Sequence, residues 1–399
     1  MRFHLTVNDM AKTHLEQLDA FVNRFVKKWT GLPRPGTLSF IHMPEGCNIP
    51  TISNLYMECH ALAHLSSRMK ADETVNHCID SRLERESKWK RKISHTAESE
   101  RLAVCAGYTD PSTKHSAAKK VIKKSLNEQT SEFWREHVKS LTVQGSFLQL
   151  LSLEKGATHW RSIIYNLPHN VCKFLINSCS DTLNHNSNLM RWGKRTNDRC
   201  PRCGNKETLL HVLNFCKNSL EQGRFTWRHN NIINYLKEII SHSLTSSNTS
   251  AIINADLPNT YNGHTTVPTS IATTNLIPDI CVYLKELSKV VIIELTVPFE
   301  TNINKAHENK SNKYAPLMND IIANGYEVDF FAIEIGSRGY INSENNSSLK
   351  KMRKLLKIST PLNKLKNCLS KLAIISSFVI FHAKSEPSWE SPPFLSVNN

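Results

Sequence analysis

Apolar positions in the N-terminal part of the chain repeat at helical spacing. Over residues 13–29 they recur every three or four positions, which predicts an amphipathic helix. Lys27 and Lys28 fall in its last turn, where cations suit the helix dipole, and Gly31 ends it. A second helical pattern covers residues 53–69. We therefore predict that this part of the chain is helical.

The middle of the chain is more polar. Residues 94–130 carry the basic pairs Lys119-Lys120 and Lys123-Lys124, and we predict a linker followed by a helix. Residues 240–275 are rich in Ser, Thr and Asn and poor in charge. That composition is typical of a loop, so we place a domain boundary there.

Beyond residue 275 the pattern changes to strands alternating with a helix. Residues 290–293 form a short β-branched run typical of a buried strand, residues 305–323 look helical, and residues 328–335 are strand-like again. Strand, helix, strand is the signature of an α/β core. The apolar run 372–381 is about half the length of a membrane-spanning helix, so we expect a core helix or strand and no membrane role.

The net charge of the chain indicates a class of binding partner. The 399 residues carry 50 Lys and Arg against 35 Asp and Glu, a net charge of +15, with an ordinary hydrophobic content of 40%. Such a surplus favours a polyanion such as DNA or RNA. Trp89 lies within a basic run, where an aromatic ring can stack on a base: Lys88, Lys90, Arg91, Lys92. The same run is also typical of a solvated helix face with one Trp beneath it.

The cysteines indicate a reducing compartment. There are 11, an odd number, and most are scattered singly, which is not the pattern of a disulfide framework. Residues 1–12 lack the apolar stretch of a secretory signal. We therefore expect a nuclear or cytoplasmic protein that is not secreted.

Four metal-ligating residues have the spacing of a zinc knuckle. The pattern Cys-x2-Cys-x7-His-x4-Cys is formed by Cys200, Cys203, His211 and Cys216. Two cysteines separated by two residues can grip one metal from a tight turn, and thiolate and imidazole are the ligands that Zn²⁺ prefers. Four protein ligands leave no position for a catalytic water, so we predict a structural Zn²⁺ site. A helix over residues 208–213 would present the histidine.

A second constellation places acidic residues at predicted strand edges. Asp279 follows Pro278, and Glu294 comes directly after the run 290–293. Two carboxylates plus a DNA phosphate suffice to hold Mg²⁺, which polarises the phosphate and lowers the pKa of an attacking water. This is the logic of the PD-(D/E)xK nucleases. Taken alone, such a pair is more typical of an ordinary turn Asp and a strand-end Glu.

The nuclease lysine is not in its usual place. The position two residues after the second acid holds Thr296. The candidates are Lys310 and Lys313 on the next predicted helix, with Tyr314 beside them. Lys310 and Tyr314 are four positions apart and share a helix face, and Lys313 is offset from Lys310 by about one-sixth of a turn, so spacing alone leaves both lysines open.

Several motifs together resemble the non-LTR retrotransposon proteins that carry a restriction-like endonuclease. The similarity covers most of residues 10–380 and is strongest over 165–335. Its motifs are, in chain order, Leu167-Pro168, Asn188-Leu189, Arg191-Trp192, Cys200-Pro-Arg-Cys203-Gly204, Glu207-Thr208-Leu209, His211-Val212-Leu213-Asn214 with Cys216, Arg228-His229-Asn230, Asp279, Glu294, and Ala306-His307 with Lys310, Lys313 and Tyr314. Residues 29–33 and 46–50 are similar to the thumb of the reverse transcriptase.

In that family the polyprotein nicks a DNA target and primes cDNA synthesis from the cut, and the endonuclease domain makes the nick. The resemblance implies that Asp279 and Glu294 hold Mg²⁺. It implies Lys310 as the catalytic lysine, with Lys313 as the alternative and Tyr314 on the same helix. The implied partners are the DNA target, the element RNA and the rest of the polyprotein.

The resemblance leaves two roles open for Arg228 and His229, which would support the site or contact DNA. The chain departs from the family at Ile277, where a basic residue is common, and at Gly46-Cys47, where a double glycine is expected. It also lacks the aromatic-Ala-Asp-Asp motif of the polymerase palm, so we expect no polymerase activity from this chain alone and a truncated copy or fragment of a longer reading frame.

Two other hypotheses compete with an endonuclease. One is a non-catalytic nucleic-acid-binding relic of the same element, which needs only charge; the other is an unrelated zinc-containing structural protein. We predict an α+β multidomain fold with these parts: 1–93, thumb-like helices; 94–190, helical linker region; 191–235, zinc knuckle and Arg-His-Asn segment; 236–385, PD-(D/E)xK-like α/β endonuclease core; 386–399, tail.

Overall fold

Helical periodicity in the first 145 residues produces a helical unit, one of two units into which the chain divides. The computed structural model describes residues 2–70, 72–88, 95–153, 158–258 and 265–395. The helices of the first unit are α1 (Arg2–Val7), α2 (Lys12–Thr30), α3 (Ser39–His42), α4 (Ile52–Met69), α5 (Glu73–Lys88), α6 (His95–Cys105) and α7 (His115–Lys139). The helices predicted over residues 13–29 and 53–69 are confirmed as α2 and α4.

The core of the first unit is built by α4, α6 and α7. Leu65, Leu102 and Ile122 are fully buried where these helices meet. The amphipathic face of α2 contributes little, since Phe21 and Trp29 stay exposed. The predicted stacking cluster cannot be placed in this unit, because Trp89, Lys90 and Arg91, together with the side chain of Lys88, lie outside the described residues.

The second unit, residues 146–399, combines helices with a sheet. Its boundary falls inside the segment predicted as a linker region. Its elements are α8 (Ser146–Leu153), α9 (Trp160–Ile164), α10 (His169–Cys179), α11 (Asn186–Arg191), a π-helical turn (His211–Phe215), α12 (Lys217–Glu221), α13 (Arg224–Ser246), β1 (Ala251–Ala255), β2 (Ile280–Leu284), β3 (Lys289–Thr296), α14 (Ile303–Ala323), β4 (Glu327–Glu334), α15 (Ser343–Leu355) and α16 (Leu362–His382). Short 3-10 turns cover Lys285–Leu287, Glu300–Asn302 and Ala383–Ser385.

The sheet has the strand order β1-β2-β3-β4. The first three strands are antiparallel, and β4 runs parallel to β3 after a crossover through α14. Strand β3 is buried on both faces, which explains its unbroken β-branched run. Val290 and Ile292 face α14, whereas Val291 and Ile293 face a core that includes α13 and α16. The predicted strand-helix-strand pattern is confirmed, and the protein mixes helix and sheet as an α+β fold does.

The prediction of a loop over residues 240–275 is wrong for its first part. Helix α13 continues to Ser246, and residues 251–255 form the edge strand β1, paired with β2. Leu244 is buried in the sheet core and extends the helix beyond the predicted boundary. The many Ser and Thr residues of this segment masked the short apolar stretches. Composition is averaged over many residues, whereas strand pairing and helix packing depend on a few particular side chains.

Helix α16 explains the apolar run 372–381. Its length and composition would allow it to cross a membrane, but more than half of the apolar window is buried inside the fold. Leu365, Leu369 and Leu372 pack into the sheet core. The run is therefore accounted for by a core helix, one of the two uses predicted for it.

Candidate functional site

The first two predicted zinc ligands lie on a tight turn. The backbone N–H of Cys200 donates to Asn205 (2.7 Å), and that of Gly204 donates to Cys200 (2.9 Å). Gly204 has a φ of +74°, a left-handed conformation that glycine adopts without strain. The turn therefore places Cys200 and Cys203 side by side.

Of the other two predicted ligands, His211 begins the π-helical turn and Cys216 directly follows it. Val212 and Leu213 are buried against Phe174 of α10, which anchors the turn and presents His211 and Cys216. All four ligand atoms lie within 4.8 Å of one another. The Cys203 Sγ to His211 Nε2 distance is 3.4 Å, and the Cys203 Sγ to Cys216 Sγ distance is 4.0 Å.

These distances fit a tetrahedral metal. Zinc bonds of about 2.3 Å to sulfur and about 2.0 Å to nitrogen put neighbouring ligand atoms about 3.5–3.8 Å apart. Burial lowers the pKa of His211, which favours the neutral imidazole that a metal needs. Burial raises the pKa of Cys200 to about 11, so binding of zinc would have to displace its proton. The predicted cluster is present in a form that can bind zinc.

The two predicted acids meet at one edge of the sheet. Asp279 directly precedes β2, and Glu294 is the sixth of the eight residues of β3. Because Ile280 pairs with Ile293 in the antiparallel register, Asp279 lies beside Glu294. The backbone N–H of Asp279 donates to Glu294 Oε1 (3.0 Å), and that of Leu295 donates to Asp279 Oδ2 (2.7 Å). Asp279 is 8% exposed and Glu294 is 1% exposed. Both acids occupy the sheet face that α14 covers.

Each acid has a cationic partner from a different helix. His229 of α13 places Nε2 3.1 Å from Asp279 Oδ2. Lys310 of α14 places Nζ 2.5 Å from Glu294 Oε2. The structure thus brings Asp279, Glu294, Lys310 and His229 into one cluster.

The four groups control one another's ionisation. Burial acts to raise the pKa of Asp279, but His229 and Lys310 outweigh it and hold that pKa below its usual value. Burial and repulsion from Asp279 raise the pKa of Glu294 despite Lys310. Burial acts to lower the pKa values of Lys310 and His229, but the carboxylates outweigh it and both end above their usual values. The pairing supplies the compensation that buried charges require.

The remaining candidates on α14 occupy different places. Tyr314 is buried, its hydroxyl donates to the backbone carbonyl of Ile277 (3.0 Å), and the hydroxyl also lies beside the Glu294 carboxylate, which helps burial to raise the pKa of Tyr314. Lys313 is exposed and lies over the Tyr314 ring, with Nζ 3.4 Å from its hydroxyl. Of the two lysine candidates, Lys310 is the one in contact with an acid of the cluster.

Arg228 supports the end of β3. It is 1% exposed, and its guanidinium donates to the carbonyl of Val297 (3.1 Å) and to Ser377 Oγ of α16 (3.0 Å). Burial lowers the pKa of Arg228 to about 10. Asn214 of the π-helical turn donates to the same Val297 carbonyl (2.8 Å). Of the two roles left open for Arg228, these contacts favour support of the site.

Sequence reasoning missed two acids at the same edge of the sheet. Asp256 follows β1, and its backbone N–H donates to the carbonyl of Asp279 (2.9 Å). Glu334 ends β4, is fully buried, and accepts from His307 Nδ1 (3.0 Å). Glu334 closes an apolar strand-like run as Glu294 does, and this signal in the sequence could have identified it. Asp256 and His229 also line a shallow surface pocket beside α13.

Comparison with known proteins does not place the chain in a family. No known protein family matches it, and no curated protein matches it.

Proposed function

We propose that the protein is a metal-dependent DNA endonuclease derived from a non-LTR retrotransposon, which nicks a DNA target so that reverse transcription can be primed from the cut. The observation that carries the proposal is the meeting of Asp279, Glu294 and Lys310 at one sheet edge. These residues are 15 and 16 positions apart, and they come from the position directly before β2, from β3 and from α14. An ordinary turn Asp and strand-end Glu have no need of a buried contact with each other or of a lysine beside them.

The donor set of this cluster fits a hard divalent cation. Asp279 and Glu294 offer carboxylate oxygens from neighbouring strands on one sheet face, and Mg²⁺ favours such ligands together with water and phosphate oxygens. When bound there, Mg²⁺ would polarise the scissile phosphate and lower the pKa of a water.

The chain's own residues would do the remaining work. Lys310 stays protonated beside the acids, where its charge can stabilise the negative charge that develops on the phosphate. His229 orients the Asp279 carboxylate through its Nε2 hydrogen bond. Arg228 and Asn214 hold the Val297 carbonyl and so fix the strand end that carries Glu294.

The knuckle residues would bind Zn²⁺ in a structural role, since four protein ligands close the shell. The net charge of +15 supports a nucleic-acid partner, with DNA as the substrate and the element RNA as a second ligand. The proposed site of action is the nucleus, where the DNA target lies, or the cytoplasm, where element RNA is translated.

A plasmid-nicking assay with zinc-loaded protein and Mg²⁺ tests the proposal. We expect Asp279→Ala, Glu294→Ala and Lys310→Ala to lose about a hundredfold or more in nicking rate while still binding DNA. The matched control is Lys305→Ala, an exposed lysine on the same helix, which should nick like the wild type. Lys313→Ala decides between the lysines: a large loss there, with Lys310→Ala active, would move the catalytic role to Lys313.

Two results would contradict the proposal. An active Asp279→Ala protein would mean that the acids are not the catalytic site. A folded wild type that binds DNA but never nicks it would favour the non-catalytic relic.

A further inference from the structure

Glu334 shares the sheet face of the proposed catalytic acids. Strand β4 is parallel to β3, with Glu294 paired to Ala332, so Glu334 lies two residues further along the neighbouring strand. Val328 and Phe330 of the same strand pack under α14 with Val290 and Ile292, which places Glu334 on that face as well. Strand spacing of about 4.8 Å and a rise of about 3.3 Å per residue put the Glu294 and Glu334 backbones about 8 Å apart.

The Glu334 carboxylate is only half satisfied. Oε2 accepts a hydrogen bond from His307 Nδ1 (3.0 Å), and the Asn345 side chain also acts on the carboxylate, but the buried Oε1 makes no hydrogen bond of normal geometry among the described residues. Burial raises the pKa of Glu334 more than the His307 and Asn345 contacts lower it. A buried carboxylate oxygen without a partner is costly, so this position favours the arrival of a donor.

Lys310 is a cationic donor on the same helix as His307, and the charge of Glu334 acts on it. Its Nζ now lies on Glu294 Oε2, an oxygen that the proposed cation needs. The ammonium and a divalent cation cannot share that oxygen without strong repulsion. Lys310 sits on α14 one turn from His307, and Glu334 adds to the attraction that Glu294 and Asp279 exert on its charge.

We propose that Glu334 is a positioning residue, which receives the Lys310 ammonium on its free oxygen when a divalent cation binds Glu294. The inference rests on the proposed endonuclease function. The exchange leaves Lys310 protonated and beside the cation instead of in competition with it. His307 holds the receiving carboxylate in place throughout.

Direct binding of Mn²⁺ to the zinc-loaded full chain tests this, with free Mn²⁺ followed by electron paramagnetic resonance. Glu334→Gln should weaken Mn²⁺ binding about tenfold, because Lys310 then has no second partner and stays on Glu294. In a Lys310→Met background the same substitution should change the affinity less than about twofold, since no ammonium has to move. The control is Glu327→Gln, an exposed acid at the start of the same strand.

Equal weakening by Glu334→Gln in both backgrounds would overturn the inference, since Glu334 would then act on the cation itself. If Glu334→Gln binds Mn²⁺ as tightly as the wild type, and the wild type nicks DNA, the inference is overturned but the proposed endonuclease function is not. A wild type whose Mn²⁺ binding is unaffected by Asp279→Asn would overturn the endonuclease site and the inference together.

A second measurement covers the case in which Glu334→Gln does not fold. In a crystal structure of the wild type with Mn²⁺, Lys310 Nζ should lie within about 3.2 Å of Glu334 Oε1. An ammonium still in contact with Glu294 beside a bound Mn²⁺ would overturn the inference.

Discussion

The Asp279 carboxylate is held from two sides, by the imidazole of His229 and by the backbone N–H of Leu295. Such contacts stabilise a buried charge. The ion pair with His229 is lost when either partner changes its ionisation. The sign of each shift follows from the pairing. His229 has a raised pKa and Asp279 a lowered one, so the pair stabilises the fold most where both groups are charged.

This pairing predicts a pH-dependent effect of His229→Gln. The raised pKa of His229 gives stability that is full below its unfolded pKa of about 6.5 and is lost as pH rises through the folded pKa. The lowered pKa of Asp279 gives stability that is present above about 3.9 and is lost only at lower pH. We expect His229→Gln to lower the free energy of unfolding by about 2 kcal/mol at pH 6 and by progressively less at higher pH.

Urea unfolding of the zinc-loaded protein from pH 5.5 to 9, without Mg²⁺, measures the effect. His242→Gln is the matched control, because His242 is exposed on the same helix. A cost of His229→Gln that stays constant over this range would contradict the assigned ion pair.

A second residue-scale prediction concerns zinc. Cys203→Ser should lower the zinc content from about one ion per chain to near zero and loosen residues 195–220, since binding energy is folding energy at such sites. Metal analysis and hydrogen exchange check both parts. Cys105→Ser, which changes an exposed cysteine, should keep its zinc. Full zinc content in Cys203→Ser would rule out the assigned ligand set.

At the scale of elements, the π-helical turn and α13 share one acceptor at the end of β3. Asn214 of the turn and Arg228 of α13 both donate to the carbonyl of Val297, three residues beyond Glu294. The turn that carries His211 and leads into Cys216, two proposed zinc ligands, therefore also holds the strand end that carries a proposed catalytic acid. Loss of zinc should therefore destabilise that strand end locally.

Hydrogen exchange across β3 tests this coupling. Zinc removal should speed amide exchange over residues 294–297 by about tenfold, through local opening, and should leave the middle of β2 nearly unchanged. Zinc-loaded Asn214→Leu should reproduce part of the effect, since it removes the hydrogen bond but keeps the metal. Unchanged protection of residues 294–297 after zinc loss would show that the knuckle and the strand are independent.

At the scale of the whole molecule, the charge of +15 predicts how nucleic acid is bound. Binding through phosphates releases counterions, so affinity should fall about a thousandfold between 50 and 200 mM salt if about six phosphates are contacted. Fluorescence anisotropy with a labelled DNA duplex, without Mg²⁺, gives the salt slope. A flat dependence would contradict phosphate binding, and strong discrimination between unrelated sequences would point to a base-reading element.

How far the sequence predicted each part depended on the range of the contacts involved. The zinc ligands lie within 17 consecutive positions, so spacing alone could place them together. The strand around residues 290–293 could be predicted from the sequence, because burial on both faces requires an unbroken apolar run. Strand β1 was missed, since its five residues are stabilised by pairing with β2 and carry little signal of their own.

The sequence by itself determined the clustering of the four Cys and His side chains, the strand-helix-strand order and the acids at the strand ends. Only the tertiary structure decided that Lys310 and not Lys313 touches Glu294, that Arg228 is buried, and that Glu334 joins the acidic edge. The physical reason is that local spacing fixes which residues share a helix face or strand end. Which of them meet depends on strand register and on how α13 and α14 pack against the sheet, and those are set by contacts between residues far apart in the chain.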